Sequence, residues 1–361
     1  MEFQLVDPRT GDLVDGILPL LEVCDDHESI QPEFIQNTVE VISPPAADIT
    51  ELAASLRSRL HELQDACGRV NLAVCGAGTH PFCSRPAVIS PGPRYARLEK
   101  VSGWLSHNQV TFATHVHLGM PGGEEAVRLL RELKPFLPLL IALSASSPFW
   151  HGEDTRFAAF RHRVLASARS YGPPPDFEDW SGFEHFFETM QRAGMLRAIN
   201  DLHWDLRPRP DLGTIEVRVM DAQPTLAEAL SFVALLRALI RFLRHTRGGG
   251  ERRRPLRPLF WWYLKENCFA ASRYGLDARL IVTDEGDVRP LAAVARELLE
   301  RIAPHAADDE TPHLRRLAEA LPGGLPYQRV RRVLAASGSL EAVVRALTEE
   351  LRAEGAVASC R

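Results

Sequence analysis

GTIEVRVMDAQP, residues Gly213–Pro224, is the stretch on which the fold turns. Ile215, Val217 and Val219 alternate with Thr214, Glu216 and Arg218, the two-residue period of a β-strand with one apolar face. Glu216 and Arg218 therefore leave the same face. On a lone strand that pair would be a solvated ion pair. Three further segments repeat the pattern. Glu2–Asp7 sets Phe3 and Leu5 against Glu2 and Gln4. Phe34–Ser43 sets Ile35, Val39 and Val41 against Gln36, Thr38 and Glu40, and Gln109–Gly119 carries His115 and His117 on one face. Carboxylates and imidazoles on the polar faces of several strands suggest a metal or phosphate site built on a sheet.

Helical spacing separates these strands. Asp48–Cys67 places Leu52, Leu56, Leu60 and Leu63 on one side and meets Gly68 as a stop; Tyr95–His107 also reads as a helix. Glu124–Ser144 is helical but carries Pro135 and Pro138, which predict a break. Thr225–His245 reads as the longest helix, opened by the capping box Thr225/Glu228, and Pro258–Tyr274 ends at Gly275. Pro290–Glu354 reads as three or four amphipathic helices. Alternation on both faces, without continuous apolar runs, fits an antiparallel sheet with helices on one face: an α+β chain. Neither GxGxxG nor GxxxxGK[ST] occurs.

The 361 residues are 45% hydrophobic and 25% charged, an ordinary globular balance. A formal net charge of −5 argues against nucleic acid as the main partner. The six cysteines, Cys24, Cys67, Cys75, Cys83, Cys268 and Cys360, form no CxxC pair; their scatter suits reduced thiols in a cytoplasmic protein. The start MEFQLVDP has no signal-peptide pattern. The apolar run Leu226–Leu243 is interrupted by Glu228, Arg237 and Arg241, so a buried helix is expected rather than a membrane span. The glycine-rich, basic stretch Arg247–Arg257 reads as a surface linker.

The chemistry-bearing set is Glu2, Glu33, Glu40, His115, His117, Glu216 and Arg218. Carboxylates with an occasional imidazole suit Mg²⁺ or Mn²⁺, which also grip nucleotide phosphates. An arginine beside them can stabilise charge on a transferring phosphoryl group. Singly, each residue is a strand-face charge or a core histidine; only the combination points to a site.

Several motifs in order carry a resemblance. They are EFQLVDPRTG at 2–11, PEFIQNTVEV at 32–41, GTHPF at 78–82, THVHLGM at 114–120, LSASSPFWHGEDTRFAAFR at 143–161, GTIEVRVMD at 213–221 and ENCFAASRYGLDA at 266–278. On these the chain resembles the bacterial carboxylate–amine ligases (YbdK-like, the glutamate–cysteine ligase type 2 group). The resemblance implies a glutamine synthetase-like fold, a curved antiparallel sheet closed into a funnel with helices outside. Residues 1–280 would form the ATP- and metal-binding catalytic part and 281–361 a helical continuation. It implies ATP-dependent phosphorylation of a carboxylate, on glutamate or a related acid, and attack on the acyl phosphate by a small amine, with Mg²⁺ or Mn²⁺. It implies metal ligands at Glu2, Glu33, Glu40, His117 and Glu216, with His115 a ligand or a support to one. It assigns nucleotide contacts to Thr79, His80 and Arg218, a catalytic, phosphate-binding role to Arg218, and a substrate or phosphate contact to Arg161. It also implies a homodimer acting on small molecules, with no nucleic-acid or membrane partner.

Two departures qualify the resemblance. The family pattern opens G-x-E-x-E, and only its second glutamate, Glu2, is present here; either the chain start is placed late or one metal site lacks a ligand, and the chain as written is expected to be slow or inactive as a ligase while still binding ATP. The pattern DTG-x-x-S-x-R reads Asp154-Thr155-Arg156-Phe157-Ala158-Ala159-Phe160-Arg161, and Arg156 is expected near the cleft mouth, where it would alter or block substrate. Two other readings stay open: a non-catalytic nucleotide- or amino-acid-binding relative, and a metal-dependent amide hydrolase. The ligase reading also predicts that Glu216→Gln removes activity while leaving the fold intact.

Overall fold

The computed structural model describes residues 1–247 and 254–356. Four strands, β1 (Glu2–Val6), β2 (Ile30–Pro32), β3 (Thr38–Val41) and β4 (Ala73–Cys75), form an antiparallel sheet in the order β2-β3-β1-β4. β5 (Val116–Gly119), β8 (Leu206–Arg209) and β9 (Thr214–Val217) form a second antiparallel sheet, order β5-β9-β8. Two hairpin-sized pairs complete the strands: β6 (Phe149–Trp150) with β7 (Glu153–Asp154), and β10 (Arg279–Ile281) with β11 (Val288–Pro290).

The α+β reading holds, but the closed, curved funnel does not. Among the described residues the strands pair into four separate sheets of four, three, two and two strands. The expected strands are also shorter. Past Val217 the Arg218 N–H still donates in register to the Asp205 carbonyl, and the backbone then pairs with the segment 112–114, where the Thr114 N–H donates to the Met220 carbonyl and the Ala222 N–H to the Phe112 carbonyl. The Asp221 carboxylate accepts from the Ser146 N–H and the Ser147 hydroxyl, so these short pairings and side chains satisfy the polar groups without one continuous sheet. Contact between the two larger sheets is carried by the segment 111–114, where the Glu2 N–H donates to the Ala113 carbonyl and Ala113 bridges Asp221.

The helices follow local sequence signals. Ile49–Arg69 is capped by Asp48, whose carboxylate accepts from the Glu51 N–H, and it runs through Gly68 rather than stopping there. Thr225 caps Leu226–Thr246, accepting from the Glu228 N–H and donating to its carboxylate. Pro135 and Pro138 divide their segment into Gly123–Leu133, a 3₁₀ turn at Lys134–Phe136, and Leu137–Ser144. The expected helix Tyr95–His107 is two, Pro93–Ser102 and Trp104–Asn108, parted by Gly103 at φ 56°. The tail supplies four helices, from Leu291–Ile302 to Leu340–Ala356. One core joins Phe3 of β1 to Leu299 and Leu351 of the tail, and a second packs Val343, Val344 and Leu347 against Val6, Ile35 and Phe112.

No helix among the described residues is long and apolar enough to cross a membrane. Of the basic stretch Arg247–Arg257, residues 248–253 lie outside the described residues, as does Cys360. Its ends are spent on ion pairs: Arg247 with Glu125 and Glu132, Arg254 with Glu132.

Candidate active site

A cleft of roughly 1360 Å³ is lined from both larger sheets. Strand register decides which side chains meet in it. In the first sheet Glu2 lies opposite Glu40, and Gln31 lies opposite Glu40 on its other side. In the second, Glu216 at the centre has His117 across one ladder and Arg207 across the other. Arg207 and Arg209 leave one face of β8, two residues apart.

Glu216 is caged. Arg207 Nε donates to its Oε2 at 2.6 Å and Arg218 Nη1 to its Oε1 at 2.5 Å, while Arg209 Nη1 stands 3.5 Å from Oε2. Burial works to raise this carboxyl, and Arg218, His115, Arg207 and His117 outweigh it, holding Glu216 well below the usual carboxylate range. Burial and then Arg218 push the Arg207 guanidinium down to about 10.

Glu2 lives differently. Its Oε2 accepts from the Ala113 N–H at 2.6 Å, and no arginine hydrogen-bonds it among the described residues. Burial, then the charges of Glu33 and Glu40, push its carboxyl up to about 8, against Arg161 and Arg218. Glu40 is raised for the same reasons, burial first and Glu33 next. Glu33 accepts from the Phe34 N–H.

His115 stands between the two groups. Its Nε2 is 3.8 Å from Glu2 Oε1 and its Nδ1 3.8 Å from Glu216 Oε1. Burial, then Arg218, hold its imidazole well below its ordinary value, and Nε2 has no hydrogen-bond partner among the described residues. His117 faces Glu216 at 3.8 Å and bonds the Thr214 hydroxyl through Nδ1.

The structure thus brings Glu2, Glu33, Glu40, His115, His117, Glu216, Arg161 and Arg218 to one cleft. It does not bring Thr79 and His80 there. The Thr79 hydroxyl donates to the Phe149 carbonyl, while the buried His80 ring bonds the Gly11 carbonyl and accepts from the Phe82 and Cys83 N–H groups. Both are spent on holding their loop. Arg161, 4% exposed, donates to the carbonyls of Val219 and Arg218 and lies 3.9 Å from Asp221. Arg156 is exposed and does not line the cleft, contrary to expectation. Its φ of 61° explains why the family pattern carries glycine there: an L-residue in the left-handed region costs on the order of 1 kcal/mol. Sequence reasoning missed Arg207 and Arg209, although the Arg-x-Arg spacing at 207–209 was a usable signal. It also missed His203, lowered to about 4 by burial and then by Arg218 and Arg207.

One end of the cleft carries donors suited to a divalent cation. Glu2, Glu33, Glu40 and the unpartnered Nε2 of His115 offer hard oxygens plus one imidazole nitrogen, with local charge that the chain itself leaves unbalanced. That end of the cleft fits a cation, although no three His, Cys, Asp or Glu side chains among the described residues are drawn in to coordinating distance. Glu216 does not fit as placed, because guanidinium groups occupy both of its oxygens.

Over 361 residues the chain is 45% identical to a protein of Trichormus variabilis named as a candidate glutamate–cysteine ligase 2, covering 99% of this chain and 93% of the relative. A similarly named protein of Thermobifida fusca is 34% identical, covering 98% and 90%. Among solved structures, a bifunctional glutathione synthetase from Pasteurella multocida superposes with a TM-score of 0.66 at 16% identity, over 98% of this chain and 51% of that one. A glutamate–cysteine ligase from Francisella tularensis, solved in complex with AMP, gives 0.60 at 13% identity, over 99% and 92%. At those identities the structural likeness is one of fold. The family described as Glutamate-cysteine ligase family 2 matches residues 1–346, and the chain belongs to that family.

Proposed function

We propose that this chain is an ATP-dependent carboxylate–amine ligase of the glutamate–cysteine ligase type, acting on glutamate or a related acid and a small amine. One observation carries the reading: a single cleft holds an uncompensated carboxylate group at one end and a cluster of guanidinium groups at the other. Mg²⁺ or Mn²⁺ held by Glu2, Glu33 and Glu40, with His115 beside them, would neutralise phosphate charge as the acid is phosphorylated. Arg218, Arg207 and Arg209 would orient phosphate oxygens and hold charge that builds on them, once Glu216 shares its guanidinium partners with the substrate. Arg161 fixes the backbone after β9 that presents Arg218. In this reading Glu216 sets the positions of the arginines rather than ligating metal as placed.

ADP release over an acid-by-amine matrix, with mass detection of the amide, tests the activity. ATP binding without turnover would favour the non-catalytic reading, and amide cleavage without ATP the hydrolase. We further propose that residues 1–280 carry the catalytic machinery with 281–361 as its helical buttress, and that the chain acts as a homodimer. Phe260, Trp261 and Trp262, all exposed, provide apolar surface for such a contact. A monomer mass by light scattering over a range of concentrations would reject the dimer.

A further inference from the structure

Behind the cleft wall lies a second polar cluster that the phosphate chemistry does not use. Asp205 is 0% exposed, and neither carboxylate oxygen has a hydrogen-bond partner among the described residues. His162 is 5% exposed with both ring nitrogens unpartnered, and its Nε2 is 4.0 Å from Asp205 Oδ2, too far for a direct bond. The Tyr171 hydroxyl is buried and unpartnered as well, although the residue lines the cleft; its ring meets His162 edge-on at 5.3 Å. Leaving this many buried polar groups bare would be costly. Water bridging the carboxylate, the imidazole and the phenol would satisfy all three.

The cluster is fixed beside the reactive end of the cleft. The Asp205 N–H donates to the Gly172 carbonyl, next to Tyr171, and the Asp205 carbonyl accepts from the Arg218 N–H. Groups from every neighbouring element bear on it: Arg161 and His162 from the helix Phe160–Leu165, Arg218 and Asp221 from the segment after β9, and Cys268 from the helix Trp261–Tyr274. Burial and then Asp205 push the Tyr171 phenol up, against Arg161 and Arg218.

Resting on the ligase reading, we propose that Tyr171, Asp205 and His162 enclose a hydrated relay that takes the proton from the attacking amine. The amine arrives as an ammonium ion, and one N–H proton passes through water to the Tyr171 oxygen while the phenolic proton passes through water to the Asp205 carboxylate. The freed lone pair bonds the acyl carbon, the carbon–oxygen bond to phosphate breaks, and phosphate leaves with the electron pair and takes up the second N–H proton. His162 orients that carboxylate and water, and is a positioning residue.

A nucleophile already neutral at working pH separates this role from a structural one. Wild type, Tyr171→Phe and Asp205→Asn are compared with hydroxylamine and with the amine that the acid-by-amine matrix selects. Both variants should slow amide formation about 100-fold with the ordinary amine. They should keep near wild-type hydroxamate formation and an unchanged KM for ATP, and the amide rate should recover as pH rises. Equal losses with both nucleophiles, or no loss with either, would overturn the relay. Should Asp205→Asn fail to fold in a thermal melt, Tyr171→Phe decides alone. A wild-type chain that makes no hydroxamate from any acid would overturn the ligase reading and the relay with it.

Discussion

Glu216 and Glu2 reach the same cleft and meet opposite electrostatic fates. Glu216 is paired by the chain itself, through Arg207 and Arg218, and its carboxyl sits well below the usual range. Glu2 faces Glu33 and Glu40, has only a backbone N–H as its close partner, and is pushed up to about 8, burial leading. In the first region the fold supplies the counter-charge. In the second it leaves charge for something else to neutralise. The same residue type therefore serves as an internal organiser at one end and, in the proposed reading, as a ligand set at the other.

The sharpest way to break this contrast is Glu216→Gln. From sequence alone the substitution was expected to spare the fold. The structure says otherwise, because it strands a guanidinium group on Arg207, which is only 4% exposed. Breaking a buried pair by removing one partner costs about 3–5 kcal/mol. Urea denaturation should show that loss together with lost activity. Unchanged stability would mean that the arginines do not depend on Glu216.

The second test acts on the other region. The Glu2 carboxyl is raised in the folded chain, so the folded state binds its proton more tightly than the unfolded state does. Its contribution to stability is then fully present below about 4.5 and is lost as pH rises through about 8. The loss should be on the order of a few kcal/mol without metal. Mg²⁺ should offset it, since a cation favours the ionised form. Thermal melts from pH 5 to 9, with chelator and with Mg²⁺, read this directly, and Glu2→Gln should flatten both the slope and the metal effect. A metal-free chain equally stable at pH 5 and pH 8 would remove the distinction between the two regions.

How far the contrast could be read in advance depends on which residues carry it. Glu216 and Arg218 were legible because Ile215 and Val217 alternate with them, and the face they share follows from the period. Arg207 and Arg209 carried a usable signal in their Arg-x-Arg spacing, but Pro208 between them masked it, since proline argues against a strand interior. β8 is an edge strand in its sheet, where a missing N–H does no harm. Thr79 and His80 were legible as a motif, but they lie outside the lining of the cleft, and their hydroxyl and imidazole close hydrogen bonds of their own loop. The division into separate sheets is set by non-local contacts. Nothing in the local pattern of 218–223 reveals that its backbone pairs with 112–114, or that Ser146 and Ser147, more than seventy residues earlier, satisfy the Asp221 carboxylate.

His115 joins the regions, and coupling measures whether the join matters. Its ring lies 3.8 Å from both Glu2 and Glu216. A double-mutant cycle of His115→Gln with Glu2→Gln should give an interaction energy of about 1 kcal/mol or more, as neighbours sharing a site do. An additive cycle would leave the two carboxylate regions independent.

The smallest effect belongs to His117, and it discriminates most finely. Sequence resemblance places His117 with Glu2 as a metal ligand, whereas the structure sets it against Glu216 and Thr214, with its side chain 34% exposed against 11% for His115. Burial holds its imidazole below the ordinary value, with Glu216 opposing, so at neutral pH it carries no charge with which to strengthen that contact. His117→Gln then removes chiefly one hydrogen bond, about 0.5–1.5 kcal/mol. Combined with Glu2→Gln in chelator, the two losses should add to within about 0.5 kcal/mol, because the residues belong to different regions. Repeating the cycle in Mg²⁺ decides between the two placements. If the losses still add, His117 stays with the arginine-caged end. If they couple only when Mg²⁺ is present, a cation draws His117 and Glu2 onto one centre, and the boundary between the regions shifts by one residue on β5.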